Sequence, residues 1–190
     1  MAPGTLMIIT FALATLINKP YIQDKVDKTN PRQPGDPPCL SIHIRWSDKG
    51  NGRGKIPIER FLPYVETFVK EGGQSIFLAT DQTTVFDRID EQWPSNIKSI
   101  IRRQEGAFLS KNNVAVFRQA DHHRSNVEAI TEIYALSKCS LLLHGLSAMT
   151  EAAMFLNIGL HDHSVNMDDP AHPSVDEFRT MVRIVQLTES

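Results

Sequence analysis

Three runs of strand length, Cys39–Ile44, Ser75–Thr80 and Ser140–His144, constrain the fold of this chain more than any other feature. Each runs out into polar or charged residues. In the first, Leu40, Ile42 and Ile44 alternate with Ser41, His43 and Arg45, the period of a strand. The other two are apolar almost throughout, as strands covered on both faces are. Helical spacing fills the gaps. Apolar residues stand at 58, 61, 62, 65, 68 and 69, with Pro57 at the start and Gly72-Gly73 at the end. Pro63, inside that pattern, predicts a kink or a late start. Gln82–Gln92 reads as the next helix, with Asp81 or Thr83 as its N-cap. Ile97–Ile101 reads as a strand, and the polar residues 102–123 as a long loop. Ser125–Ser137 follows as a helix, capped by Ser125 or Asn126, with Val127, Ile130, Ile133, Tyr134 and Leu136 on its apolar face. Ala148–Leu156 and, after scattered polar residues beyond Gly159, Val175–Val185 complete the helices.

Strand and helix alternate, so the fold class is α/β: a parallel sheet with helices on both faces. Ligands of such sheets lie beyond the carboxyl ends of the strands. Those ends are Arg45–Lys49, Thr80-Asp81 and His144–Ser147.

Ahead of this pattern the chain divides at its prolines. Residues 4–17 read as an apolar helix and Tyr21–Asp27 as a second. Thr29–Pro38 holds four prolines and reads as an extended connector. The expected division is residues 1–38, N-terminal helices and connector, and 39–190, a ligand-binding domain. Leu6–Ile17 could also serve as a degenerate signal or anchor, but no Lys or Arg precedes it and it is too short for a membrane span. The net charge of −2 offers no global field for nucleic acid, so any phosphate recognition is local. Cys39 and Cys139, the only cysteines, lie in apolar runs without CxxC spacing and read as buried free thiols.

The strand ends carry the candidate chemistry. Arg45 offers a fixed fork of donors suited to a diphosphate, against the plainer reading of a surface ion pair with Asp48. Lys49 follows in a loop where Gly50, Gly52 and Gly54 let the backbone approach a ligand. Ser147 stands where a helix begins after a buried strand; its hydroxyl and the free amides of the first turn make an anion site or, more simply, an N-cap. His43 reads as a structural hydrogen-bonder, and Glu132, from sequence alone, as a solvated helix residue. The histidines at 122, 123, 144, 161, 163 and 172 match no zinc pattern, and no Walker loop, nucleophile elbow or HExxH is present.

Together, three segments resemble a known family. His43-Ile44-Arg45-x-x-Asp48-Lys49 is similar to the HxRxxDK motif of the fucosyltransferase superfamily that uses GDP-fucose, nearest to the core-fucosylating and nodulation-factor enzymes. Phe77-Leu78-Ala79-Thr80-Asp81 resembles that family's second segment, and Glu132–Leu143 with Ser147 and Ala152-Ala153 its third. The resemblance implies a Rossmann-like, C-terminal half of a GT-B fold that binds GDP-fucose. It implies an inverting transferase that needs no metal or other cofactor and passes fucose to a glycan or protein acceptor, usually in a secretory lumen. Arg45 and Lys49 would meet the charge on the departing GDP. His43, Asp81 and Glu132 would border the guanosine, and Ser147 would support the phosphates. Trp46 replaces the second arginine of the nearest relatives, and Arg53 stands where they carry a candidate carboxylate base. The acceptor-binding half of the family has no counterpart here. A non-catalytic GDP-sugar-binding remnant and an unrelated α/β phosphate-binding protein are therefore the alternatives.

Overall fold

The computed structural model describes residues 19–32, 35–46, 54–105 and 122–188. Five parallel strands form one sheet in the order β3-β2-β1-β4-β5: β1 is Leu40–Ile44, β2 Ile76–Thr80, β3 Ile101–Arg102, β4 Leu141–His144 and β5 Ser164–Asn166. The α/β class and the all-parallel sheet read from the sequence are both present. Seven helices are described: α1 Pro20–Thr29, α2 Leu62–Lys70, α3 Thr83–Gln92, α4 Ser95–Lys98, α5 His122–Ser137, α6 Ala148–Leu156 and α7 Val175–Thr188.

The strand period sorts the core into two halves. Leu40, Ile42 and Ile44 point to one face, where they meet Phe61, Phe68, Val85 and Phe178 from the α2, α3 and α7 side. Phe77, Ala79 and Leu142 point to the other, under Ile133, Ala135 and Leu136 of α5 and Ala152-Ala153 of α6. Outside that second layer lies α1, whose Ile22 and Val26 are buried against Tyr134 of α5.

Several local readings are corrected. Cys39 and Cys139 are not free thiols; they form a disulfide, with Cα atoms 4.9 Å apart. They stand immediately before β1 and at the α5–β4 turn, and the β1–β4 pairing (Leu40 beside Leu141) brings them together. A separation of 100 residues hid that proximity. The segment 97–101 is not one strand. Pro94 opens a short helix in which the amides of Ile97 and Lys98 donate to its carbonyl, and pairing begins only at Ile101. Neither Asp81 nor Thr83 caps α3; Gln82 occupies that position without a side-chain cap bond. α5 starts a turn early, so Ser125 is an interior, buried residue and not its cap. β5, with Val165 as its single buried residue, carries too little periodicity to be read in advance. A late start for α2 is found: a 3-10 turn spans Ile58–Arg60, and Pro63 sits in the helix's first turn. The helix expected at residues 4–17 lies outside the described residues.

Candidate functional site

Strand order places the crevice. From β1 the chain builds outward through β2 to β3, then crosses to the opposite side for β4 and β5. The connections therefore diverge between β1 and β4, where α/β sheets hold their ligands. His43 pairs in register with His144 across this junction. The same register carries Arg45 to the level of the turn Gly145–Ser147, from which α6 departs.

Alternation fixes which side each residue takes. His43 pairs with Ala79 on one flank and His144 on the other, and Ala79 packs beneath α5. Both imidazoles thus occupy the α5–α6 face, and both are buried, at 3% and 4% exposure. Trp46 goes the opposite way, into the larger core with Ile44, and its indole Nε1 donates to the carbonyl of Ile56 at 2.9 Å. Lys55 and Arg88 each sit 5.4 Å from its ring centre, in reach of a cation–π contact. Trp46 is thus a core anchor and not a group that faces the crevice. Arg45, the first residue after β1, is partly buried.

Asp81 ties the first two strand exits together: its Oδ1 accepts from the Trp46 amide at 2.9 Å. Glu132 approaches from α5. It is partly buried rather than solvated, so the plain surface reading is overturned. Its carboxyl is pushed up to about 8, first by loss of hydration, then by the negative charges of Glu128 and Asp81. Asp81, Glu128 and Glu132 are therefore electrostatic neighbours at one edge. Glu128, buried one turn before Glu132, accepts from Arg124 Nε at 2.8 Å. At neutral pH Glu132 carries its proton and can both donate and accept.

The β4–α6 turn is held from two directions. Asp168 Oδ2 accepts from the Leu146 amide at 2.7 Å, and the Met167 amide donates to the His144 carbonyl at 2.7 Å. Ser147 is the N-cap of α6, with its Oγ accepting from the Met149 amide at 3.3 Å. The plainer of its two readings is thus met, while the start of α6 still points its dipole at the junction.

His43, Arg45, Asp81, Glu132 and Ser147 therefore all belong to elements that end or begin at the carboxyl edge of the sheet. Lys49, with Asp48 and Arg53, lies outside the described residues. Sequence reasoning placed His144 at a strand end without giving it a role, and missed Glu128 and Asp168 as neighbours of this edge. The i, i+4 spacing of Glu128 and Glu132 was a usable signal, as was the polar end of the apolar run at His144. Among the described residues no group of three or more His, Cys, Asp or Glu is placed to hold a metal ion. No helix there is long and apolar enough to cross a membrane.

A cavity of about 1080 Å³ lies elsewhere, along the β3 edge between α1 and α3. Lys25, Lys28, Phe86, Arg102, Arg103 and Gln104 are among its walls, and none of the residues expected at the site lines it. No protein-family profile and no curated protein sequence matches this chain.

Proposed function

We propose that this chain is a fucosyltransferase-like domain that binds a GDP-sugar, with GDP-fucose as the donor, at the β1–β4 junction. One observation carries the reading: His43, Asp81 and the β4–α6 turn with Ser147, one part of each family-like segment, stand at the carboxyl edge of a single parallel sheet, around its topological switch point. Arg45 follows β1 at the level of the turn that opens α6, and in this reading its guanidinium and the helix's first amides would grip one diphosphate. His43 and Glu132 would border the guanine, where a carboxyl can accept from a base's N–H groups. As the sugar–phosphate bond breaks, negative charge grows on the departing nucleotide. Groups fixed beforehand by the sheet and the α6 turn, together with Lys49, would stabilise it. Transfer to a glycan or protein hydroxyl requires an acceptor-binding half or partner besides this domain.

Titration calorimetry with GDP-fucose, GDP and an ADP-sugar tests the reading. GDP and GDP-fucose are expected to bind in preference to the ADP-sugar. Arg45→Ala is expected to weaken both by about 10- to 100-fold, the loss of a charged, bidentate contact, with the fold intact by circular dichroism. Unchanged affinity in that variant removes the assignment.

A further inference from the structure

His144 is absent from the motif that suggested the function, yet it is an in-register neighbour of His43. The two strands are parallel and hydrogen-bonded, which sets their Cα atoms about 5 Å apart. Both rings emerge on the α5–α6 face and both are buried. His144 Nδ1 lies 3.1 Å from the Gly145 carbonyl, a contact that places the Nδ1 proton there and leaves Nε2 as the basic nitrogen.

The surroundings decide when that nitrogen can be charged. From β1 come His43 and Arg45. The α6 start contributes the positive end of its dipole and Glu151 in its first turn. Beyond β5 stands Asp168, whose carboxylate already serves the Leu146 amide. Glu128 and Glu132 stand on α5 and Asp81 follows β2, but the carboxylate that acts on the His144 ring is Asp168. Burial keeps the free ring neutral, holding His144 below the ordinary histidine range against the smaller opposing pull of the Gly145 carbonyl and Asp168. A second cation beside Arg45 and the helix end becomes favourable only when an anion arrives between them.

We propose that His144 is a further phosphate-binding residue of this site, taking up a proton as the diphosphate of a nucleotide-sugar docks against the β4–α6 turn. The proposal rests on the nucleotide-sugar reading above. It makes donor affinity proton-linked through one residue that the family-like motif does not contain.

GDP-fucose is the right probe, because its phosphates are diesters that do not themselves titrate near neutrality. Its affinity for the wild-type protein and for His144→Asn should be compared across pH. Asparagine keeps an N–H for the Gly145 carbonyl but has no basic nitrogen, so a purely structural role is preserved. The ratio of the two affinities is expected to be near one at about pH 8 and to rise to about threefold in favour of the wild type at about pH 6. Glu132 is common to both proteins, so its own titration cancels. In the wild type, the His144 ring signal followed by NMR should show its titration moving upward by about one pH unit on saturation with GDP-fucose. A ratio that does not change with pH, or a ring titration unmoved by the ligand, overturns the role of His144 while leaving the site intact. Failure of the wild type to bind GDP-fucose at any pH overturns the nucleotide-sugar reading and this inference with it.

Discussion

A carboxyl that holds its proton at neutral pH is unusual, and Glu132 does so first because burial strips its hydration and then because Glu128 and Asp81 add negative charge nearby. The sign of its effect on folding follows from its raised value of about 8. Between the ordinary carboxyl range and about pH 8 the folded chain binds more protons here than the unfolded chain. Stability therefore falls as pH rises through that window. The part assignable to Glu132 is roughly 1–2 kcal/mol after discounting for solvent screening of a partly buried group. Glu132→Gln is expected to flatten the loss of thermal stability between about pH 6 and pH 9, read from melting curves of the two proteins. An identical slope in both would show that Glu132 ionises without cost. From sequence this residue looked solvated, because helical periodicity reports which residues face the core but not which acids from other elements gather beside them. Arg45 and Ser147 were easier to read, since each stands where an apolar run gives way to polar chain.

The elements that were legible are those with long or strongly periodic patterns: β1, β2, β4, α3 and α6. Those that were not have a local cause. Pro94 starts a helical turn inside an apolar stretch, and β5 exposes its outer residues, so alternation had only Val165 to work with. The end of α2 was read correctly from Gly72-Gly73, and the packing explains why both are glycine. Gly72 adopts φ +93°, a conformation that side chains resist. At Gly73 the reason is space, because a Cβ would come within 2.3 Å of the Phe68 ring, a fully buried residue of the core. Gly73→Ala is expected to cost about 1–3 kcal/mol by overpacking, measured as a lower denaturant midpoint with an unchanged slope. Phe68→Leu, which makes room, should recover part of that loss when combined with it.

At the scale of the whole molecule, the sheet is closed at its lower end by a covalent bond and a set of polar ties. Beside Cys139, Lys138 Nζ meets Asp27 at 2.7 Å and the Asn30 carbonyl at 3.0 Å, and Asn30 Nδ2 donates to the Ala135 carbonyl at 2.9 Å. These contacts hold α1 on α5, so the helix before the proline-rich connector shares the packing of the sheet domain. Closing a loop of 100 residues is worth about 4–5 kcal/mol in the chain-entropy account. Reduction under native conditions is expected to lower stability by up to that amount, and Cys39→Ala with Cys139→Ala should reproduce the effect in denaturant melts. An unchanged midpoint would mean that the pairing of β1 and β4 alone sets the geometry. A free-thiol reading was reasonable for two isolated cysteines in apolar runs; their adjacency is a product of strand order, which no local pattern encodes.

The bond between Cys39 and Cys139 encloses β1, β2, β3 and the whole of α5 within one covalent ring. A single peptide cut anywhere in that span opens the ring without releasing either piece, and both sides of the β1–β4 crevice stay tethered. The chain is in this sense built to survive nicking on one side of its crevice, and it loses that tolerance the moment the sulfur bridge is broken.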